Sequence, residues 1–194
     1  MIKIIGTTHL MSKEAIEGMI KDFNPDVIGV ELCQTRFKIL TNQIQQGNNK
    51  DETLMGKIAD ETKKKAQEEN LDYGSDQKTA MFYAINNNIP LILLDRDIIE
   101  TRNEMSKIPI EEQMYLQKEL LKFQQEKLQI EINEDEVIEK MKKDIPITYK
   151  ILVEYRASYM INKLKEAKKK YEDKRILVFC GKGHKKKMEE SLYD

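Results

Sequence analysis

The chain has 194 residues, which is long enough for one domain with a substantial buried core. Its 33 basic and 34 acidic residues nearly balance, so no overall field favours nucleic acid or an anionic membrane surface as a partner. Two cysteines are too few for a disulfide framework. The sequence begins with a strand pattern instead of a signal peptide and contains no apolar run approaching ~18 residues. We therefore expect a soluble, cytoplasmic protein that does not bind nucleic acid or insert into a membrane.

The two ends of the chain carry the same motif. Apolar runs at residues 2–5 and 176–180 each lead into Gly-x-x-His, ending at His9 and His184, the only two histidines of the protein. A glycine after a strand allows a sharp turn into a helix, and a helix N terminus disfavours a protonated imidazole. Both histidines are therefore expected to be neutral, the form that binds a metal or accepts a proton. If the two strands are neighbours, these imidazoles face each other outside the carboxyl ends of the sheet; otherwise they are surface histidines without a shared role.

A second strand ends in a carboxylate. Ser12 caps the first helix, Asn24-Pro25 ends it, and residues 26–32 then form a run that is apolar on both faces, as in a parallel sheet. Glu31 lies at the end of this run, where a buried carboxylate needs a cation, a metal or a raised pKa. Arg36 lies in the next helical stretch and could pair with it. Glu31 is thus either a residue of the functional site or half of a structural ion pair.

The middle of the chain repeats this pattern. A helix begins near residues 73–76, where Ser75 or Asp76 is a simple N-cap in one interpretation. A third strand at residues 91–94 then ends in Asp95-Arg96-Asp97. Charged residues again cluster where a buried strand stops.

Residues 98–170 predict a helical insertion between the third strand and the last. The segment 112–129 is amphipathic, with leucines at 116, 120, 121 and 128 on or beside one stripe. This pattern is typical of a core or interface helix. It also offers a face for a homodimer.

Arg156 lies inside an apolar helical stripe, because its neighbours at three- and four-residue spacing are apolar. A guanidinium on an inner face must meet an anion. It either pairs with a strand-end carboxylate (Glu31, Asp95 or Asp97) or presents its fork to a substrate carboxylate or an oxyanion. The residues alone leave both roles open.

The order of these motifs resembles that of the TraB/PrgY family, the pheromone-shutdown proteins related to the Tiki metalloproteases. The matching motifs cover almost the whole chain and are residues 6–9, 25–32 with Arg36, 73–76, 94–98, 154–160 and 181–184. The resemblance implies an erythromycin-esterase-like and ChaN-like α/β fold. We therefore expect a single domain over residues 1–194, in which a central sheet of at least four strands, largely parallel or mixed, is flanked by helices.

The resemblance also implies a metal-dependent hydrolysis of peptides, with manganese or cobalt in the Tiki-type relatives. The chain departs from the family pattern at two positions: Asp76 stands where glutamate is common, and Cys33 stands where an acidic residue is common. Both departures affect the ligand set. The C-terminal membrane segments of many relatives are also missing, which argues against a membrane-bound role.

These motifs together suggest a metal-dependent hydrolase acting on a peptide or a small molecule. His9, His184 and Glu31 would bind Mn, Co or Zn, with Glu31 as the third ligand or as the general base. Arg156, and less directly Arg96, would hold the substrate or stabilise the developing oxyanion. The remaining motif residues are expected to contact the substrate: Arg36, Tyr73 and Asp76.

Two alternatives remain open. In the first, the protein is a hydrolase without a metal, and His9 or His184 acts as general base beside an orienting Glu31. In the second, the protein is a non-catalytic module that sequesters a peptide or a metal. Activity that survives chelation favours the first alternative, and stoichiometric binding without turnover favours the second.

Overall fold

The computed structural model describes residues 1–45, 53–126 and 133–193. The strands are β1 Ile2–Thr7, β2 Val27–Val30, β3 Leu91–Leu93 and β4 Ile176–Gly181. The helices are α1 Lys13–Phe23, α2 Gln34–Leu40, α3 Leu54–Glu68, α4 Ser75–Asn86, α5 Ile98–Met105, α6 Ile110–Gln125, α7 Glu134–Asp144, α8 Pro146–Tyr149, α9 Arg156–Lys170 and α10 Lys182–Tyr193. A π-helical segment, Lys150–Tyr155, joins α8 to α9. None of the helices in these ranges has the length and apolar character that a membrane span needs.

The four strands form one parallel sheet in the order β1-β4-β2-β3. The first and last strands are direct neighbours, with Ile2 opposite Ile176 and Thr7 opposite Gly181. Since all strands run in the same direction, their carboxyl ends lie at one edge of the sheet. The predicted α/β class with a four-stranded sheet is confirmed, and all the pairings are parallel.

Helices cover both faces of the sheet. Every residue of β4 is buried, and its consecutive residues Val178 and Phe179 belong to different core clusters, because successive side chains of a strand point to opposite faces. The Val178 side packs against α9 and α10 around Met160 and Met188. The Phe179 side packs against α1 and α4 around Ile16. Burial on two faces explains the continuous apolar run of this strand.

The predicted ends of the first helix are confirmed. The Ser12 hydroxyl accepts the N–H of Ala15 at 3.2 Å, and Asn24 has the left-handed backbone that ends many helices, with φ 50. α1 therefore returns the chain to the start of β2 and leaves the preceding loop, which contains His9, at the carboxyl edge.

The segment between β3 and β4 is helical, as predicted, and contributes a small core of its own around Met105 and Ile151. The predicted stripe is confirmed at Leu116 and Leu120, which are buried, whereas Leu121 is 54% exposed. Residue 128 lies outside the described residues. A homodimer through this helix stays a prediction.

A buried glutamate of α6 accepts hydrogen bonds from the first residues of α8, the helix that precedes the π-helical segment and Arg156. Glu112 accepts the backbone N–H of Ile147 at 2.9 Å and both the N–H and the hydroxyl of Thr148 at 2.7 Å. These bonds satisfy donors that a helix start otherwise leaves open. The π-helical segment follows, and such segments often occur at functional sites.

Candidate active site

Both histidines and the strand-end glutamate lie together at the carboxyl edge of the sheet. His184 Nε2 is 3.6 Å from Glu31 Oε1. A Cβ atom placed on Gly181 would lie 3.1 Å from His9 Nε2 and 3.3 Å from Glu31 Oε2, so these two side chains converge over the same glycine. The structure thus brings the two Gly-x-x-His loops together, with Glu31 between them.

The motif glycines have a different role from the predicted one. Gly6 and Gly181 belong to β1 and β4, and in the described part of the chain the only glycine with positive φ is Gly74. The helix predicted to open after the motif glycine is confirmed at the second motif, where α10 begins at Lys182 directly after Gly181, but neither motif glycine uses a left-handed backbone to make the turn. The left-handed residue is His9 itself, with φ 62. The absence of a side chain at Gly181 has another effect, because a Cβ atom there would make tight contacts with His9 and Glu31.

Asp76 holds His9 from the first turn of α4. Its Oδ2 is 3.1 Å from His9 Nδ1, and the carboxylate is fully buried. Gly74 fixes the same loop, because its N–H donates to the carbonyl of His9 at 2.7 Å. Gly74 is also the N-cap of α4, so the interpretation of Ser75 or Asp76 as the cap is wrong. The hydroxyl of Ser75 donates instead to the carbonyl of Met11.

Two residues that the sequence analysis missed hold Asp76 in place. The Thr7 hydroxyl and the Gln77 amide both donate to Asp76 Oδ2. The other end of the Gln77 amide accepts the backbone N–H of Glu31 at 2.7 Å, so one side chain links the partner of His9 to the end of β2. Thr7 lies within the Gly-x-x-His motif and Gln77 follows Asp76. That adjacency was the only signal, since neither residue type carries charge.

The pKa of His9 is raised, against the prediction of a neutral imidazole. Burial alone would lower the pKa, but the hydrogen bond to Asp76 and the negative charges of Glu31 and Asp76 outweigh burial. Because Nδ1 faces Asp76, Nε2 is the nitrogen left to exchange a proton. The imidazole is 25% exposed, so water can reach it.

His184 has the opposite environment. Its side chain is 8% exposed, and burial lowers the pKa even though the charge of Glu31 would raise it. Its Nδ1 is buried and has no hydrogen-bond partner within the described residues. A neutral imidazole at His184 agrees with the sequence prediction.

Arg156 is anchored by two strand-end carboxylates. Its Nη2 is 2.5 Å from Glu31 Oε1 and 2.8 Å from Asp95 Oδ2, and its Nε is 2.9 Å from Asp95 Oδ1. The second oxygen of Glu31 accepts the backbone N–H of Gly181 at 2.5 Å. Of the two roles left open for Arg156, the geometry favours the ion pair. The cation bonded to Glu31 is Arg156, not Arg36.

This network keeps its charged groups ionised. Burial would raise the pKa of Glu31, but the charges of Arg156 and both histidines lower it. Burial would likewise lower the pKa of Arg156, and the two carboxylates raise it above the ordinary value. A buried ion pair of this kind is costly to break from one side, because the remaining charge loses its partner.

Arg36 and Tyr73 border the site. Arg36 is 43% exposed, and its Nη1 is 4.0 Å from Asp95 Oδ2. The ring of Tyr73 meets the imidazole of His9 edge-on, with centroids 5.8 Å apart. Burial raises the pKa of Tyr73, with the charge of Arg36 opposing that rise. Tyr73 therefore lies directly beside His9, and Arg36 lies beside the Asp95 carboxylate that anchors Arg156.

Arg96 and Asp97 do not join this network. The guanidinium of Arg96 donates to Glu104 at 2.7 Å and to Glu100 at 3.3 Å, both on α5. Asp97 accepts the hydroxyl of Thr35 at 2.6 Å and is the N-cap of α5. The placement of Arg96 therefore does not support its predicted contact with substrate.

The chain is similar to one curated protein, the uncharacterized protein MJ1365 of Methanocaldococcus jannaschii. The two are 28% identical over an alignment of 204 positions, which covers 94% of this chain and 51% of the relative. The chain thus spans about half the length of the curated relative it matches. No protein-family model matches the chain. The relative carries no assigned activity, so the function is inferred from the geometry of the site.

The predicted metal ligands fit a metal in chemistry but not in their present arrangement. Two imidazoles and a carboxylate are suitable donors for Mn, Co or Zn. However, the described residues contain no group of three or more His, Cys, Asp or Glu side chains arranged to hold a metal ion. The physical reason lies at Glu31, since Arg156 and the N–H of Gly181 already occupy its two oxygens. A dication there would also be repelled by the guanidinium.

Proposed function

We propose that the protein is a hydrolase in which His9 acts as the general base. The observation that carries this proposal is the Asp76–His9 pair, whose Nδ1 faces a buried carboxylate at 3.1 Å. A carboxylate on one ring nitrogen fixes the tautomer and makes the other nitrogen the proton acceptor. That other nitrogen, Nε2, lies beside Glu31 at the carboxyl edge of the sheet, where ligands of parallel α/β sheets bind.

In the proposed reaction, His9 Nε2 takes a proton from a water molecule whose oxygen attacks the carbonyl carbon of an ester or amide. The imidazolium then returns that proton to the leaving group as the carbon–heteroatom bond breaks. The raised pKa of His9 favours the first step, because Asp76 and Glu31 stabilise the imidazolium that forms when the ring accepts the proton. Thr7 and Gln77 would keep Asp76 in position.

The neighbouring residues receive distinct roles in this proposal. Arg156 is a positioning residue, because its donors hold Glu31 and Asp95. Arg36 is exposed enough to contact a carboxylate of a peptide or small-molecule substrate. Tyr73 packs on His9 and would restrict how the substrate approaches it.

A metal-dependent, peptidase-like reaction is the second candidate. It is favoured by the carboxylate behind His9, since metal-ligating histidines usually donate their other nitrogen to such a group. His9 and His184 would hold the metal together with Glu31, once Glu31 had released Arg156. A bound Mn, Co or Zn ion would supply an acidified water.

The test is hydrolysis of 4-nitrophenyl acetate and of a fluorescence-quenched peptide pool, each with EDTA and with added Mn²⁺, Co²⁺ or Zn²⁺. We expect turnover that survives EDTA and falls about 10²- to 10⁴-fold in His9→Ala. The matched surface control is Lys13→Ala, whose side chain is 69% exposed on α1 and which should retain the wild-type rate.

Each other outcome has a defined meaning. Turnover that appears only with added metal and vanishes with EDTA supports the second candidate. Equal rates in His9→Ala and wild type contradict the role of His9. Stoichiometric binding of a peptide or metal, without turnover of either substrate, contradicts both reactions and supports a sequestering module.

We also propose a cytoplasmic location for the protein. Cys33 and Cys180 are buried and unpaired, which suits a compartment that keeps thiols reduced. Fractionation of the cells that produce the protein tests this.

A further inference from the structure

A groove runs along the free edge of β1. Its volume is about 600 Å³, and it is lined by residues 2–6 of β1, Met19 of α1, and Lys185, Glu189 and Leu192 of α10. Within the described ranges of the chain, β1 is the outermost strand on this side of the sheet. The groove floor is therefore a strand edge, and its two walls are helices from opposite faces of the sheet.

The register of β1 determines which backbone groups face the groove. The N–H of Ile176 in β4 donates to the carbonyl of Met1 at 2.9 Å. In a parallel pair, alternate residues direct both of their backbone groups to the same neighbour, so residues 1, 3, 5 and 7 face β4. The N–H and C=O groups of Ile2, Ile4 and Gly6 then point into the groove. Such a row of outward donors and acceptors is a template for another strand.

We propose that this groove binds the substrate as an extended peptide, which adds to the sheet as a fifth strand beside β1. Main-chain hydrogen bonds would supply affinity and alternate side chains would contact the two walls, as in other strand-addition complexes. One set of side chains would meet Met19, and the other would meet Leu192 and the Lys185–Glu189 ion pair. That the bound peptide is the substrate rests on the function proposed above.

The walls favour a single peptide over a second copy of this chain. The edge is recessed between α1 and α10, so a bare strand can enter, whereas the edge of another α/β sheet would bring its own flanking helices against these walls. Lys3 does not obstruct the edge, since its Nζ lies over the ring of Phe23, 5.6 Å from the centroid.

The groove leads to the proposed general base. β1 ends at Thr7, opposite Gly181 of β4, and His9 Nε2 lies over Gly181. A peptide beside β1 is two strand spacings from β4, about 10 Å. About three extended residues cover that distance, so a peptide that leaves the groove at Thr7 can present a bond to His9.

The test measures binding separately from turnover. Fluorescein-labelled peptides from a tryptic digest of β-casein are titrated with the His9→Ala protein, and the tightest binder becomes the probe. Two derivatives of that probe are then made, one with N-methyl groups at odd backbone positions and one at even positions. Only alternate N–H groups of an added strand face β1, so we expect one derivative to bind about ten-fold more weakly and the other nearly as well as the probe.

Substitutions give a second measurement. Met19→Glu should raise the Kd of the probe at least about ten-fold, because it places a charge in the groove wall. Leu121→Glu is the matched control, since Leu121 is an exposed apolar residue of α6 that does not line the groove, and its Kd should equal that of the parent. Circular dichroism checks that both variants remain folded.

The outcomes separate this proposal from the proposed function. Absence of saturable binding, or an equal effect of both N-methyl patterns, overturns the strand-addition model even where the wild type hydrolyses esters. If only one N-methyl pattern weakens binding and the wild type shows no turnover, peptide binding in the groove is supported and the hydrolase function is contradicted. A dimer in solution that Met19→Glu dissociates identifies a second copy as the occupant and also overturns the proposal.

Discussion

The two Gly-x-x-His ends of the chain carry one motif in two different surroundings. The imidazole of His9 is 25% exposed, rests on the Asp76 carboxylate and has a raised pKa. The imidazole of His184 is 8% exposed, has an unbonded Nδ1 and has a lowered pKa. Both lie beside the same carboxylate, Glu31. The motif therefore places a histidine at the sheet edge but does not determine its protonation.

The difference originates in the elements that follow each strand. His184 lies in the first turn of α10, which packs on the sheet and buries it. His9 precedes α1 in a loop with left-handed backbone, where it can turn toward α4 and meet Asp76. A residue far from the motif in sequence thus gives His9 the environment of a proton acceptor.

The largest expected effect on stability comes from removing Arg156, the cation that pairs with Glu31 between the two histidines. Arg156→Met leaves Glu31 and Asp95 buried without their partner, so the free energy of unfolding should fall by about 3–5 kcal/mol. Urea unfolding at neutral pH measures it. The matched variant is Arg96→Met, because the Arg96 side chain is 14% exposed and that of Arg156 is 17% exposed. Its partners Glu100 and Glu104 are 63% and 37% exposed and stay hydrated without the cation, so the cost should be only about 1 kcal/mol. Equal losses would show that the strand-end network adds no special stability.

The second-largest effect is expected from a change at Asp76, the residue that makes the surroundings of His9 differ from those of His184. Asp76→Asn keeps the shape of the side chain but removes the charge, so the pKa of His9 should fall and kcat/KM should drop about 100-fold. The pH profile of the reaction should move to lower pH, which a merely structural change would not produce. Asp72→Asn is the control, because Asp72 is 66% exposed and pairs with Lys78. An unshifted profile in Asp76→Asn would contradict the pairing of Asp76 with His9 during turnover.

Much of the fold was predictable because its signals are local. Apolar runs, the Ser12 cap and the Asn24 end are all read from adjacent residues, and parallel strands necessarily share one carboxyl edge. The approach of the two motifs required one thing more, that β1 and β4 are neighbours, and the sequence left that condition open. The inward face of Arg156 was visible in the helical spacing.

The rest depended on contacts between distant residues. Arg156 and Glu31 are 125 positions apart, so spacing showed that the arginine needed an anion but not which one. Asp76 looked like a helix cap because caps and buried carboxylates share residue types. The left-handed backbone at His9 is what brings its imidazole to the Asp76 carboxylate. The sequence around one histidine does not reveal a backbone angle of this kind.

A smaller perturbation tests the space that the two motifs share. Gly181→Ala adds a methyl group 3.1 Å from His9 Nε2 and 3.3 Å from Glu31 Oε2, so it should displace the imidazole, lower kcat/KM about ten-fold and cost about 1–3 kcal/mol of stability. Gly18→Ala is the control, because nothing lies within 4 Å of its added carbon. That helical change should instead stabilise the protein by about 0.5–1 kcal/mol. A fully active Gly181→Ala protein would mean that His9 does not work from the position described.

The smallest expected effect is the difference in pKa between the two histidines. It can be measured directly by NMR, because the protein has only two histidines and each gives its own imidazole signal. One signal should titrate above the ordinary value of 6.5 and the other below it. His9 then contributes stability that is fully present below about 6.5 and is lost as the pH rises through its raised pKa. His184 contributes stability that is present above about 6.5 and is lost as the pH falls.

The contribution of His9 declines above pH 6.5 and that of His184 declines below it, and ordinary carboxyl groups titrate at lower pH. His184→Gln should therefore reduce the fall in melting temperature on the acidic side, and His9→Gln should reduce the fall on the alkaline side. Two imidazole signals that titrate together would contradict the difference between the motifs. That result would also remove the reason for choosing His9 over His184 as the general base, because the choice depends on Asp76 raising the pKa of one ring while burial lowers the pKa of the other.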